Sequence, residues 1–267
     1  MKPRTLIIRT AGTNCDRELA HAFESAGAAT ESIHLNVLME QPELLDRFDL
    51  LGLPGGFSYG DDVAAGKIQA LLMRERLYPA LRRSIERGVP IFAPCNGFQA
   101  LVKMGLLPGP ARGEQWPADR PPAQSVTLLD NAGGRFIDRW INVEIAPQCP
   151  CIWTQHLEGV CDEMILPMAH GEGRFVADSE TLAMLEREHL IALRYVPGHN
   201  ANGSMNRIAG ICDAGGLIFG LMPHPERFTT WTQHPRWTRL DQAILSSTPL
   251  GLAMFRSAVR HAQAQRV

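Results

Sequence analysis

The chain has 267 residues, enough to bury a substantial core in one large α/β domain or a domain with an insertion. Its 26 Lys and Arg against 28 Asp and Glu leave a formal charge of −2, which offers nothing to nucleic acid or an anionic membrane surface. No apolar run approaches membrane-spanning length, Met1-Lys2-Pro3-Arg4 leads into too few apolar residues for a signal peptide, and the six cysteines lack framework spacing, so a cytoplasmic protein with reduced thiols is expected.

Leu6-Ile7-Ile8 reads as a first buried strand, and the loop Thr10 to Cys15 leads into a helix capped by Asp16 and running to about Ser25. Thr30 to Leu35 and Phe48 to Leu53 read as strands, the second followed at once by Pro54-Gly55-Gly56-Phe57. A single helical pattern spans Leu71 to Arg87. Val89 to Phe92 is then a short buried strand that stops at Pro94-Cys95 and turns through Asn96-Gly97 into a helix. Strands alternating with helices predict a parallel sheet covered on both faces, with active groups at the carboxyl ends of its strands.

Residues 108–124, rich in Pro, Gly and charge, read as a loop insert. Four strand-like stretches follow without intervening helices: Ser125 to Leu129, Trp140 to Ile145, Met164 to Met168, and Arg174 to Ala177. They predict a small antiparallel excursion on one side of the parallel sheet. Glu180 to Arg187 is a helix, Leu190 to Val196 a strand, and Ile208 to Cys212 with Leu217 to Leu221 a hairpin closed by Asp213-Ala-Gly-Gly216. A last helix covers Pro249 to Gln263. No repeat or long linker divides the chain, so residues 1–267 read as one domain.

A thiol on a sharp strand-to-helix bend is pushed away from the backbone, beside the free amides of a helix start, which favour the thiolate. Cys95 holds such a place, although the stretch alone equally fits a small buried structural thiol. Thiolate acyl transfer also needs a base, a group to orient it, and oxyanion donors. His224 and Glu226 suit the first two, because Pro225 fixes the backbone between them; a solvated His and a surface Glu would fit the tripeptide as well. Gly55-Gly56 with the amide of Asn96 could supply the donors, or form an ordinary turn. Gly60 to Lys67 only mimics a P-loop, since its glycines are misplaced and Ile68 stands where Ser or Thr is needed. Cys149-Pro150-Cys151 with Cys161 lacks the spacing of a zinc site, and no metal is expected. Trp231 and Trp237 read as a core edge or partner surface.

With these residues together, the chain resembles the class I glutamine amidotransferases, and within them the glutaminase subunits and domains of phosphoribosylformylglycinamidine synthases. The likeness rests on an ordered set: Gly12-Thr-Asn-Cys-Asp-Arg-Glu18, Pro54-Gly-Gly-Phe-Ser-Tyr-Gly-Asp61, Cys95-Asn-Gly-Phe-Gln99, Ala169-His-Gly-Glu-Gly-Arg-Phe175, Asn202-Gly-Ser204 and Pro223-His-Pro-Glu-Arg227. The resemblance implies a Rossmann-like, mostly parallel sheet with helices on both faces. It implies Cys95 as nucleophile, His224 as acid/base and Glu226 as its partner. Gly56 and Asn96 match oxyanion-hole positions, Gln99 with the Gly171-Glu172 backbone matches the holder of the glutamine backbone end, and Gly55 and Phe57 flank the pocket. Asn131 to Trp140 and Gln233 to Trp237 look more like the glutaminase end of fused synthases, although no synthase portion is present. The implied activity is glutamine hydrolysis feeding ammonia into purine (IMP) synthesis. The implied partners are L-glutamine and a separate synthase subunit, with or without a small accessory subunit. No cofactor is expected in this chain; ATP and Mg would belong to the synthase.

Overall fold

The computed structural model describes residues 2–157, 160 and 164–265. Strands β1 (Arg4–Arg9), β2 (Ala29–His34), β3 (Leu50–Gly52) and β4 (Ile91–Pro94) alternate with helices α1 (Asp16–Ser25), α2 (Leu35–Glu40), α3 (Lys67–Arg76), α4 (Tyr78–Glu86) and α5 (Asn96–Met104). Strands β5 (Val126–Asp130), β6 (Ile137–Ile145), β7 (Ile165–His170) and β8 (Glu172–Ala177) follow, then α6 (Ser179–Arg187) and β9 (Ile191–Tyr195). The hairpin β10 (Ile208–Cys212) and β11 (Ile218–Leu221) precedes α7 (Gln242–Leu245) and α8 (Leu250–Ala264).

Nine strands form one sheet in the order β2-β1-β3-β4-β11-β10-β9-β6-β7. From β2 to β11 every pairing is parallel; beyond β11 every pairing is antiparallel. The antiparallel strands therefore extend the same sheet at one edge, while β5 and β8 pair separately.

The central strands are apolar at successive positions because both faces are covered. Leu6, Ile8, Leu51, Leu53, Ile91 and Ala93 enter one core, against Met73, Leu81, Leu101 and Leu185 from α3 to α6. Ile7, Leu50 and Phe92 point the other way, into a core with Leu19 and Phe23 of α1 and Met254 and Phe255 of α8. Phe92 is the hub of that second core, with ring centroids 4.9 Å from Trp153 and 4.8 Å from Phe255.

Two local expectations change. The helix anticipated over Leu71 to Arg87 is two helices, broken at Leu77 with Pro79 in the first turn of α4. Pro79 has no N–H to donate and its ring would strike the carbonyl four residues back. At α1, Cys15 takes the cap position with no side-chain capping bond, and Asp16 is the first helical residue. Residues 108–124 hold no helix or strand, but the loop is anchored: Tyr78 Oη donates to the Pro117 carbonyl at 2.7 Å, and Trp116 packs on the core. At the hairpin, Asp213 accepts from the amides of Gly215 and Ile218 at 3.0 and 2.7 Å, closing the turn as its sequence predicts.

Candidate active site

The bend at Cys95 is real and strained. Its φ of 50° and ψ of −110° put a non-glycine residue in a sparsely populated region, at a typical cost of about 1–3 kcal/mol. Two features hold it there. The Cys95 amide donates to the Leu221 carbonyl at 2.8 Å, tying the elbow to the end of β11. Helix α5 also starts hard against β3: a Cβ on Gly97 would lie 2.1 Å from the Leu53 carbonyl oxygen, so glycine is required. Cys95 is 7 % exposed, and its thiol points toward the Ala169 carbonyl at 3.8 Å.

His224 follows β11, the parallel neighbour of β4, so sequence neighbours of both strands emerge at the same edge of the sheet. Its amide donates to the Pro167 carbonyl at 2.8 Å, fixing the turn against β7. His224 Nδ1 donates to Glu226 Oε1 at 2.7 Å, and both residues are buried. Burial works against a charged imidazole, but the Glu226 carboxylate and two nearby sulfurs, Cys15 and Cys95, outweigh it. They hold the His224 pKa well above the usual histidine value. The bond to Glu226 leaves Nε2 as the working nitrogen.

Gly55 is the meeting point. A Cβ there would lie 3.0 Å from His224 Cε1, 3.2 Å from Cys15 Sγ and 3.4 Å from Cys95 Cβ. A side chain there would crowd His224 and Cys15. Cys15 comes from the loop after β1, a stretch of the Gly12 to Glu18 motif to which the sequence assigned no role. Its sulfur lies within 4.8 Å of a His224 nitrogen and a Glu226 oxygen. Its thiol donates to Asn14 Oδ1 at 3.1 Å and it accepts from Arg227 Nη2 at 2.9 Å. The fixed positive charge of Arg227 disfavours a cation among these groups.

A cavity of about 490 Å³ opens over the site. Cys95 and His224 line it, together with Gly56, Phe57, Gln99, Gly171 and Glu172. Glu226 sits behind His224 rather than in the wall. Asn96 is also a supporting residue: its side chain accepts from the Ser58 amide and donates to Asp61 Oδ1 and Gln99 Oε1, each at 3.0 Å. Gln99 Nε2 in turn donates to the Glu172 carbonyl at 2.6 Å, which locks one cavity wall to α5. Gly56 has φ +139° and lies so near Gly12 and Asn14 that a Cβ would fall within 2.7 Å of a backbone atom. Gly56 lines the same cavity as Cys95, and α5 begins directly after Cys95, where the first amides of a helix have no intrahelical partner.

Asn14, Cys15, Asp61, His170 and Arg227 also line the cavity; the sequence placed them in the shared motifs but gave them no role. His170 is 3 % exposed and neither ring nitrogen has a hydrogen-bond partner among the described residues. Burial, with added repulsion from His224, pushes its pKa down to about 3. Gly173 permits this placement, since a Cβ there would penetrate the imidazole. The signal for Cys15 and Asn14 was their position: the loop they occupy follows a parallel strand at its carboxyl end.

Other motifs have structural roles. Asn202 is buried in a network with Gly173 and Tyr195, and Ser204 of the same sequon is buried with it. Cys149 and Cys212 face each other at 3.5 Å, sulfur to sulfur, and Cys161 lies outside the described residues. Trp231 is buried and packs edge-on to Phe228 at 5.2 Å, while Trp237 is 42 % exposed. Among the described residues no helix is long and apolar enough to cross a membrane.

Comparison with known proteins agrees with this geometry. The profile of the CobB/CobQ-like glutamine amidotransferase domain matches residues 2–262. The chain is 41 % identical over 269 aligned residues to the phosphoribosylformylglycinamidine synthase subunit PurQ of Dehalococcoides mccartyi, covering 98 % of each. It is 40 % identical to the PurQ subunit of Treponema denticola, covering 85 % of this chain and 88 % of that one. Among solved structures it is similar to a chain of PurLQS from Thermotoga maritima, with a TM-score of 0.71 and 32 % identity over 98 % of this chain and 99 % of the other. A glutamine amidotransferase from the same organism, 15 % identical with a TM-score of 0.50 over 98 % of each chain, shares the fold. An α/β sheet with a strained cysteine elbow, a buried His-Glu pair on the next strand and these relatives leaves one assignment: the chain belongs to the CobB/CobQ-like glutamine amidotransferase family.

Proposed function

We propose that this chain is the glutaminase subunit of a phosphoribosylformylglycinamidine synthase. It hydrolyses L-glutamine and passes ammonia to a separate synthase chain in purine synthesis, folding as one domain over residues 1–267. The observation that carries the reading is the placement of Cys95 and His224 at the ends of adjacent parallel strands, with Glu226 2.7 Å behind the imidazole. The near full-length match to PurQ subunits supports the same reading.

Cys95, as thiolate, attacks the side-chain amide carbon of glutamine. The charge on the amide oxygen falls to the amides of Gly56 and Asn96, each such donor being worth about 3 kcal/mol in comparable sites. His224, held as imidazolium by Glu226, protonates the departing ammonia. It then takes a proton from the water that cleaves the thioester and releases glutamate. Gln99, Gly171 and Glu172 form the wall that holds the amino-acid end of the substrate, with Gly55 and Phe57 beside it. Ammonia must stay unprotonated on its way, so the cavity must abut the synthase, where ATP and magnesium are expected. A cytoplasmic setting suits the unpaired thiols.

Two sulfurs flank His224, so the test must separate them. Cys95→Ala should abolish ammonia release from glutamine while ammonia-dependent synthesis by the assembled complex survives. Glutamine hydrolysis persisting in that variant, and lost instead in Cys15→Ala, would transfer the nucleophile to Cys15.

A further inference from the structure

Three thiols gather at the end of the sheet away from the catalytic cavity. Cys212 closes β10 and pairs with Phe219 near the start of β11, whereas His224 follows the other end of that strand. Cys149 and Cys151 belong to the loop between β6 and β7. The Cys149 and Cys212 sulfurs lie 3.5 Å apart. Cys149 is 7 % exposed, and Cys151 and Cys212 are fully buried. Both backbones are held firmly. The Cys212 amide donates to the Leu190 carbonyl at 2.9 Å, and Gln155 Nε2 donates to the Cys149 carbonyl at 3.1 Å. The Ile152 amide donates to the Gly216 carbonyl and the Trp153 indole to the Leu217 carbonyl, each at 3.0 Å, which staples the loop to the hairpin turn. Gly216, with φ +72°, permits this closeness, since a Cβ there would lie 2.1 Å from the Pro150 carbonyl oxygen. Hydrogen bonds from the Cys212 thiol and the Cys151 amide lower the Cys149 pKa in spite of its burial, which favours the thiolate there.

We infer that Cys149 and Cys212 form a reversible oxidative modification site that takes small hydroperoxides and closes to a disulfide between the β6–β7 loop and β10. The site lies apart from the glutaminase chemistry and does not depend on it. Cys149, the one thiol of the three with an opening to solvent, attacks an oxygen of the peroxide as thiolate. The S–O bond forms, the O–O bond breaks, and hydroxide or alkoxide leaves with the Cys149 proton as water or alcohol. Cys212 then attacks the resulting sulfenic acid at sulfur. The S–S bond forms, the S–O bond breaks, and hydroxide leaves as water with the Cys212 proton. Overall two thiols are oxidised, one peroxide is reduced, and the products are one disulfide, one water and one further water or alcohol. Closing the 3.5 Å gap to a bond of about 2.05 Å asks each sulfur to move by less than about 1 Å. The two cysteines are 63 positions apart, and the chain between them carries β7, β8, α6 and β9. A cross-link over so long a segment restricts the unfolded chain, so the oxidised protein is the more stable form. Reduction by a dithiol restores both thiols.

The test exposes the full-length chain to hydrogen peroxide and maps its peptides without reduction. The map should show Cys149 joined to Cys212, and the oxidised protein should melt roughly 5–15 °C above the reduced one, with dithiothreitol reversing both changes. In Cys212→Ser the same exposure should carry Cys149 on to sulfinic acid with no rise in melting temperature. Cys149 joined to Cys151 or to any other cysteine would overturn the proposal. So would Cys149 and Cys212 remaining thiols while Cys95 is oxidised, or a cross-link that lowers the melting temperature. The wild-type map decides the pairing even where the serine variant fails to fold.

Discussion

Glu226 shows how much one oxygen can decide. Its buried carboxylate accepts a hydrogen bond from His224 Nδ1, and this leaves Nε2 as the free ring nitrogen. Glutamine at the same position keeps the size but offers a neutral amide that cannot offset an imidazolium. Glu226→Gln should therefore lower kcat for glutamine hydrolysis by roughly three to four orders of magnitude, as in comparable triads, with little change in KM. Ammonia release measured with saturating synthase partner checks it; a fall of less than about tenfold would mean that Glu226 is only a packing residue. The His-Pro-Glu tripeptide was legible because both groups sit on one short turn. The roles of Cys15, His170 and Arg227 were not, although each lies in a quoted motif. Their roles come from neighbours that sequence places far away: 212 residues separate Arg227 from the sulfur it touches.

Among the elements, the junction of β4 and α5 depends most on tight contacts. Gly97 is buried in the first turn of α5, and its missing Cβ is what lets the helix begin at the end of β3. Gly97→Ala must push the helix away by more than a rotamer change can absorb, because the obstacle is a backbone carbonyl. Overpacking of this kind costs about 1–3 kcal/mol and displaces the amide donors beside Cys95. A lower urea midpoint together with a loss of glutamine hydrolysis is the expected outcome; unchanged activity would show that the elbow tolerates the shift. The strand-to-helix character of this stretch was readable from its apolar run, its prolines and Asn96-Gly97. The break between α3 and α4 was hidden because apolar spacing continues across Leu77, and only the steric demand of Pro79 interrupts it.

For the whole molecule, stability at low pH should carry the mark of His170. Above about pH 7 its imidazole is neutral in both folded and unfolded chains and contributes nothing to the balance. Below its ordinary value of 6.5 the unfolded chain takes up a proton that the folded chain refuses until about pH 3, so stability falls as pH drops through that window. At about 1.4 kcal/mol per pH unit, the full loss is on the order of 5 kcal/mol. His170→Gln, which cannot titrate, should flatten the fall in unfolding free energy between about pH 6 and 4 by roughly one proton's worth. Parallel slopes in the two proteins would show that His170 is charged in the fold. The parallel half of the sheet and its two helical coats could be read from alternating elements. The antiparallel excursion beside it could be read as well, but its strand order could not, because pairing partners such as β9 and β6 carry no local signal of each other.

The sheet changes from parallel to antiparallel at β11, and His224 follows that strand. During synthesis, the segment bearing Cys95 leaves the ribosome more than a hundred residues before β11 can slot in beside it. Until then the cysteine has no imidazole next to it and no Leu221 carbonyl to hold its elbow. A nascent or truncated chain is therefore chemically quiet toward amides. Competence arrives in one late step, when the hairpin inserts and completes the middle of the sheet.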